Sequence, residues 1–233
     1  DSSFKGCTYL SSITLPSSTT VVYNSAFENC TNLRNIGLAN VSYIGSAAFK
    51  NAMANGADVS IDLSSATYIG NEAFSGSTTL ANVDLSKNTT LTYIGISAFS
   101  GALVSGDSVT SIDLSKATLL KTISDKAFQN CTNLGSVVLS TTSALTTIGN
   151  YAFSGATSLT QVGSAVNTFT APSSLGNYAT TTANSTTYVS SGIGTYAFAN
   201  TKITAIDLSA ATTATTPFTL SLIHISEPTR LDV

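Results

Sequence analysis

A dipeptide, Ala-Phe, recurs along this chain at Ala26-Phe27, Ala48-Phe49, Ala73-Phe74, Ala98-Phe99, Ala127-Phe128, Ala152-Phe153 and Ala197-Phe198, and Phe4 opens a truncated copy. Five residues before the Phe of every complete copy stands an aliphatic residue: Val22, Ile44, Ile69, Ile94, Ile123, Ile148 and Ile193. From Phe4 to Phe153 the Phe-to-Phe spacings are 23, 22, 25, 25, 29 and 25 residues. A fixed inner phase at such a period marks a repeat architecture, because one unit cannot bury its own apolar face and a stack of units can. About eight coils spaced roughly 4.8 Å apart make a rod near 40 Å long.

A second element, aliphatic-x-Leu, follows each Phe: Ile13/Leu15, Ile36/Leu38, Ile61/Leu63, Val83/Leu85, Ile112/Leu114, Val137/Leu139 and Ile206/Leu208. The copy at Val162 is degenerate, with Ser164 in the Leu place. The alternation sends two aliphatics inward and the middle residue outward, as a short strand does. The Ile-Gly-x-x-Ala-Phe segment reads as a tight turn entering one helical turn, with Ile and Phe both facing the core. Two residues after every Phe comes only Gly or Asn: Gly6, Asn29, Asn51, Gly76, Gly101, Asn130, Gly155 and Asn200. These residues tolerate positive φ, so the position predicts a left-handed cap closing the helical turn. One residue further the side chain is always small, from Cys7, Cys30 and Ala52 to Cys131 and Thr201, as close coil stacking requires.

In these residues the chain resembles the BspA-type leucine-rich repeat. Asn29-Cys30-Thr31-Asn32-Leu33, Ile36-Gly37-Leu38 and Ile44-Gly45-Ser46-Ala47-Ala48-Phe49 carry the likeness, and Phe128-Gln129-Asn130-Cys131-Thr132-Asn133-Leu134 repeats it; it spans roughly residues 4–208. The resemblance implies an α/β repeat fold, a leucine-rich repeat solenoid with short parallel strands on one face and short helical turns on the other. It also implies a bacterial or protist cell-surface protein that adheres to host proteins or other cells. The chain departs from the commoner pattern in having Asp-Leu-Ser where the family often has Leu-Pro, which only Leu15-Pro16 retains. That departure leaves the ligand open.

Composition narrows the function classes. Of 233 residues, 42% are hydrophobic and only 9% charged, so Ser, Thr, Asn and Gly must solvate the surface. A net charge of -3 supplies no basic stripe for phosphates, which argues against nucleic acid as a partner. No apolar run approaches the roughly 20 residues of a membrane helix. The chain opens in mid-pattern at Asp1-Ser2-Ser3-Phe4, which reads as an internal fragment. Low Lys, Arg and Glu content, a Ser/Thr-rich surface and the family resemblance point to an extracellular or cell-surface location. The only His, His224, lies in the tail, so no neutral-pH acid/base residue serves the repeats. The expectation is a non-enzyme with no cofactor and no metal site.

Two regions depart from the repeat. Residues 164–192 stretch one Phe-to-Phe interval to 45, either as a degenerate repeat or as an inserted Ser/Thr-rich loop folded around Phe169, Leu175 and Tyr178; the loop is the reading followed. The solenoid is expected over 1–217. Beyond it, the run Leu220 to Arg230 resembles a translated transposase-end sequencing adapter, which would make 218–233 an artefact; the alternative is an unusual genuine terminus.

Candidate ligand residues lie on the outward strand positions: Asp62, Asp84, Asp113 and Asp207, followed by Ser64, Ser86, Ser115 and Ser209. In successive coils such carboxylates stack about 5 Å apart at roughly 0.8 kcal/mol of repulsion per pair in bulk water. Lys87 and Lys116 offset part of it. The line is either an acidic, hydroxyl-rich stripe for a protein or glycan partner, host matrix among them, or a solvated ladder that blocks unwanted association. The solvated ladder is the reading followed from the sequence. Cys7, Cys30 and Cys131 share one repeat phase, where Ala, Ser and Thr also occur, and read as small buried fillers, although Cys7 and Cys30 are near enough to pair. Tyr43, Tyr68 and Tyr93 precede the repeat Ile and form either a binding stripe or inter-coil packing, the latter favoured. Asn-x-Ser/Thr sequons stand at Asn29, Asn40, Asn88, Asn130 and Asn184. The resulting functional expectation is an extracellular scaffold for protein or glycan binding in adhesion, with a passive spacer or stalk as the alternative.

Overall fold

The computed structural model describes residues 1–106, 109–165, 168–175, 179–183 and 186–209. Tyr178, Asn184 and the 218–233 tail therefore lie outside the described residues. The chain winds as a parallel β-solenoid with two lines of strands per coil. The first line carries the aliphatic-x-Leu elements: β1 (Ser12–Ile13), β3 (Asn35–Ile36), β5 (Val59–Asp62), β7 (Leu80–Asp84), β9 (Thr110–Leu114), β11 (Leu134–Leu139), β13 (Gln161–Val162), β14 (Thr168–Thr170) and β17 (Ala205–Asp207). It pairs as β1-β3, β5-β7 and a five-stranded sheet ordered β17-β14-β13-β11-β9. The second line was not expected: β2 (Val21–Val22), β4 (Tyr43–Ile44), β6 (Tyr68–Ile69), β8 (Tyr93–Ile94), β10 (Thr122–Ile123), β12 (Thr147–Ile148) and the end of β16 (Thr186–Ile193) form one sheet, edged by the antiparallel β15 (Ala179–Ala183). Register aligns the repeat residues, Ile44 with Ile69, Ile69 with Ile94 and Ile123 with Ile148.

The expected helical turns do not form; among the described residues there is no helix. The reason lies in where alternate N–H groups go. Ser25, Phe27 and Asn29 donate to Ser46, Ala48 and Lys50 of the next coil at 2.7–2.9 Å, while Ala26, Glu28 and Cys30 donate three residues back to Tyr23, Ser25 and Phe27 at 3.1–3.3 Å. A helix needs every N–H to bond along its own turn. Here half of them are drawn along the stack instead. The flip is set by two left-handed residues flanking each Phe. The expected Gly/Asn position is one, with φ between 54° and 76° in all eight coils. The other, two residues before each Phe, is occupied by Ser2, Ser25, Ala47, Glu72, Ser97, Lys126, Tyr151 and Tyr196, all non-glycine. Each costs roughly 1–2 kcal/mol, which the inter-coil hydrogen bonds offset.

The interior is a column of rings. Phe4, Phe27, Phe49, Phe74, Phe99, Phe128, Phe153 and Phe198 stack with centroids 5.1–5.5 Å apart and planes within 6° of parallel. All but Phe4 are buried. Around the column lie the repeat Ile, Val and Leu side chains in one continuous core. The glycine four residues before Phe is fixed by the coil beneath: a Cβ on Gly45, Gly70 or Gly95 would fall 2.5–2.7 Å from backbone of the preceding coil. Gly95→Ala is therefore expected to lose about 1–3 kcal/mol in urea unfolding. Gly101, with open space around its α-carbon and the same left-handed φ as Asn130, should accept Asn with little change in the same experiment.

Within 164–192 the chain inserts a strand between successive coils on the first line only, while β15 pairs antiparallel with β16 at the edge of the second. Phe169 of β14 sits opposite Val162 on one side and Ile206 on the other, while β12 pairs directly with β16 and Phe153 stacks directly on Phe198. Phe169 and Leu175 are fully buried, and the Phe169 ring tilts 38° against Phe198 at 4.9 Å.

Candidate functional site

The Asp line lies on the outward side of the first strand line, and each of its members is engaged by its own turn. Asp62 Oδ1 accepts from Ser64 N–H at 2.8 Å, Asp113 from Ser115 N–H at 2.8 Å and Asp207 from Ser209 N–H at 2.9 Å. Asp84 accepts from both the Ser86 N–H at 3.0 Å and the Ser86 hydroxyl at 2.7 Å. An acceptor side chain bonding the N–H two residues on closes an Asx turn, here the turn that ends the strand. The Asp-Leu-Ser signature thus folds locally before it meets any partner. Register sets Asp62 opposite Asp84, but Asp113 faces Val138 and Asp207 faces Thr170. The carboxylates come together as one in-register pair, with the others further along the face.

The hydroxyl and amide of Ser86, with a smaller contribution from Lys87, hold the Asp84 carboxyl below its ordinary value, and Ser209 does the same for Asp207. A carboxyl acidified by folding stabilises the native state above its unfolded pKa, and that contribution disappears as pH falls through the lowered native value. Acid titration from about pH 5 to 2 should accordingly destabilise the chain, and Asp84→Asn, which keeps the acceptor, should flatten that slope in thermal melts.

Three further ladders hold the coils. Three residues before Phe, side-chain oxygens of Asp1, Asn24, Asn71, Asp125 and Asn150 accept the N–H of Asn24, Ser46, Ile96, Asn150 and Thr195 in the following coil at 2.8–3.0 Å. The sequence reading missed this line; its signal is an Asn or Asp at one phase in five of the eight copies. Two residues before the repeat Ile, the hydroxyls of Ser42, Thr67, Thr92 and Thr146 donate to the preceding coil's carbonyl. At the small-residue position, Cys30 Sγ, Ser77 Oγ and Cys131 Sγ donate to the carbonyl of the previous Phe at 2.9–3.0 Å. Burial pushes both thiols up in pKa, which keeps them protonated donors. All three cysteines are free thiols, Cys7 exposed and the other two buried.

Tyr43, Tyr68 and Tyr93 stack at 5.0–5.1 Å with planes within 12°. Their faces are spent on one another, so the column offers solvent edges and hydroxyls rather than an aromatic platform. Of the sequons, Asn88 is fully buried: its amide donates to the Leu63 and Ala66 carbonyls and its oxygen accepts from Thr90 and Leu91. It cannot receive a glycan in the folded chain.

On the same strand face as the Asp line, a shallow depression of about 430 Å³ is bordered by Ser111, Ser136, Thr160, Gln161 and Lys202. It is open and hydroxyl-rich. Among the described residues no group of three or more His, Cys, Asp or Glu is placed to hold a metal, and no helix is long and apolar enough to cross a membrane.

The BspA type leucine rich repeat region, in six copies, matches residues 1–105, 57–179 and 103–221. No curated protein matches. Among solved structures, a leucine rich cell surface protein from Faecalibacterium prausnitzii A2-165 is similar at 16% identity and a TM-score of 0.34, over 70% of this chain and 62% of that one. The chain thus spans less than two thirds of that relative's length. A leucine-rich repeat protein from Bacteroides ovatus ATCC 8483 is similar at 19% identity and a TM-score of 0.26, over 85% of this chain and 78% of that one. The family match covers the repeats from the first Phe of the column to the last, and the chain belongs to the BspA-type leucine-rich repeat family.

Proposed function

We propose that the chain is an extracellular binding scaffold at a cell surface, whose outward strand face takes up a protein or glycan in adhesion. The observation that carries this reading is that face itself: Asp62, Asp84 and Asp113 continue into the open, hydroxyl-lined depression beside Gln161 and Lys202, giving donors and acceptors on a rigid frame. Host matrix proteins are one candidate class of partner. The reading involves no catalysis, no cofactor and no nucleic acid. The solenoid is taken to run to residue 217, with 218–233 foreign to it.

The test is binding of residues 1–217 to an array of matrix proteins and glycans, beside a variant with Asp62→Asn, Asp84→Asn and Asp113→Asn. Asparagine keeps the Asx-turn acceptor and removes only the charge. Saturable binding reduced at least roughly tenfold in the variant, equal to about 1.4 kcal/mol, supports an acidic strand face. A second reading, a passive spacer, is favoured by the unbroken ring column, which makes the stack a stiff rod. No binding by well-folded protein would leave the spacer standing.

A further inference from the structure

The turn before β5 holds the only Asn-Gly pair in the chain, Asn55-Gly56. Asn55 is exposed, and Gly56 adopts φ +94°. The Gly56 N–H donates to no acceptor among the described residues, whereas the N–H groups of Ala54 and Asn55 are both held by the Thr31 carbonyl at 2.9 and 3.0 Å. Over Gly56 lies the guanidinium of Arg34, the only arginine among the described residues: a Cβ at position 56 would overlap it. These features supply three requirements of intramolecular amide exchange. The nucleophilic nitrogen has no side chain crowding it and no hydrogen bond to give up. The electrophilic amide is reachable by water. A cation lies against the Gly56 α-carbon, next to the peptide nitrogen that must lose its proton.

We infer that Asn55-Gly56 is a site of spontaneous covalent modification, converting to aspartate and isoaspartate with Arg34 assisting. The Gly56 nitrogen, losing its proton, bonds to Asn55 Cγ; the Cγ–N bond breaks and ammonia leaves with that proton, closing a succinimide. Water then opens the ring at either carbonyl. One opening restores the normal backbone as Asp. The other routes the chain through the side chain, adding a methylene between the Thr31-anchored turn and β5. Either product carries one more negative charge than asparagine. Asn24-Ser25 and Asn51-Ala52, two other pairs with a small residue after an asparagine, are held from this reaction because the Ser25 and Ala52 N–H groups donate to the Ser46 and Phe49 carbonyls, both at 2.9 Å.

The experiment is prolonged incubation of the folded protein at neutral pH and body temperature, followed by peptide mass spectrometry with an isoaspartate-specific methyl-transfer assay. The expected result is the amide-to-acid mass gain, with isoaspartate, confined to the peptide containing Asn55. Arg34→Met should slow it roughly fivefold, the change that about 1 kcal/mol of charge stabilisation produces, while Asn55→Gln abolishes it. An intact Asn55 over a time in which the urea-unfolded chain converts would overturn the inference. An equal rate in Arg34→Met, with its fold verified by circular dichroism, would overturn the role of Arg34.

Discussion

Replacing Phe99 with alanine is expected to lower the unfolding free energy by about 3–5 kcal/mol, the range for truncating a buried aromatic in a core that cannot collapse around the gap. Phe99 is fully buried between Phe74 and Phe128, with both ring centroids at 5.2 Å, and its own N–H is bonded to the Ala127 carbonyl at 2.8 Å. The backbone ladder holds the coils at fixed separation, so the neighbours cannot close the void. In a stack whose stability is a sum of neighbour interfaces, the loss falls on two interfaces at once and divides the rod near its middle. Urea unfolding followed by far-ultraviolet circular dichroism should show either a large loss in midpoint or a split into two transitions. Phe4→Ala is the control, since Phe4 has one ring neighbour and remains 37% exposed; its loss should stay below about 1.5 kcal/mol. Equal effects at the two sites would mean that the column is not what couples the coils.

Asn88→Ala should cost nearly as much, about 3–5 kcal/mol, although asparagine contributes little apolar surface. Its amide is fully buried and bonded at all four positions: 2.7 Å to Leu63 O, 2.8 Å to Ala66 O, and 2.9 and 2.8 Å from the Thr90 and Leu91 N–H groups. It ties its own turn to the turn of the coil before. Alanine strands the Thr90 and Leu91 N–H groups and takes one bond from each of the Leu63 and Ala66 carbonyls, which keep the Ala66 N–H at 3.0 Å and the Thr90 hydroxyl at 3.4 Å; each buried unsatisfied group costs about 1–3 kcal/mol. Asn88→Asp separates the two halves of the role. It keeps the acceptor for Thr90 and Leu91 but sets carboxylate oxygens against two carbonyls, so it should be no better than alanine at neutral pH. Thermal unfolding of the two variants side by side checks this. Retention of wild-type stability by Asn88→Asp would show that the Leu63 and Ala66 bonds carry no weight.

What the chain declared in advance was its phase. The Ala-Phe column, the inward aliphatics and the left-handed Gly/Asn position are all side-chain demands repeated at one offset, and the structure places them as that offset requires. The helical turn failed because the deciding term was carried by backbone. Ser25, Ala47, Glu72, Lys126 and Tyr151 give no compositional hint of positive φ, yet each takes it because the N–H thereby freed meets a carbonyl of the next coil. The second strand line escaped notice for a related reason: most of its strands are two residues long, too short for alternation to register, and only the stack reveals them. At the Asp line the sequence showed which residues face outward, but not that each carboxylate is already engaged by the Ser two residues later. Local turn chemistry and partner binding favour the same residue types, so only coordinates separate them.

The single strand that β14 adds has a consequence for the outward face of the rod. It inserts one layer, about 4.8 Å, on the aliphatic-x-Leu side, whereas on the opposite side β12 pairs directly with β16 and Phe153 stacks directly on Phe198. Phe153 and Phe198 nevertheless stay within 2° of parallel at 5.5 Å, so the extra layer is taken up on the strand side alone and does not tilt the coils. Along the outward face, β14 thus sets one more strand between β13 and β17 than the Tyr-Ile side has at the same step. A rigid partner that reads one position per coil would lose its register at that step, whereas a flexible one would cross it.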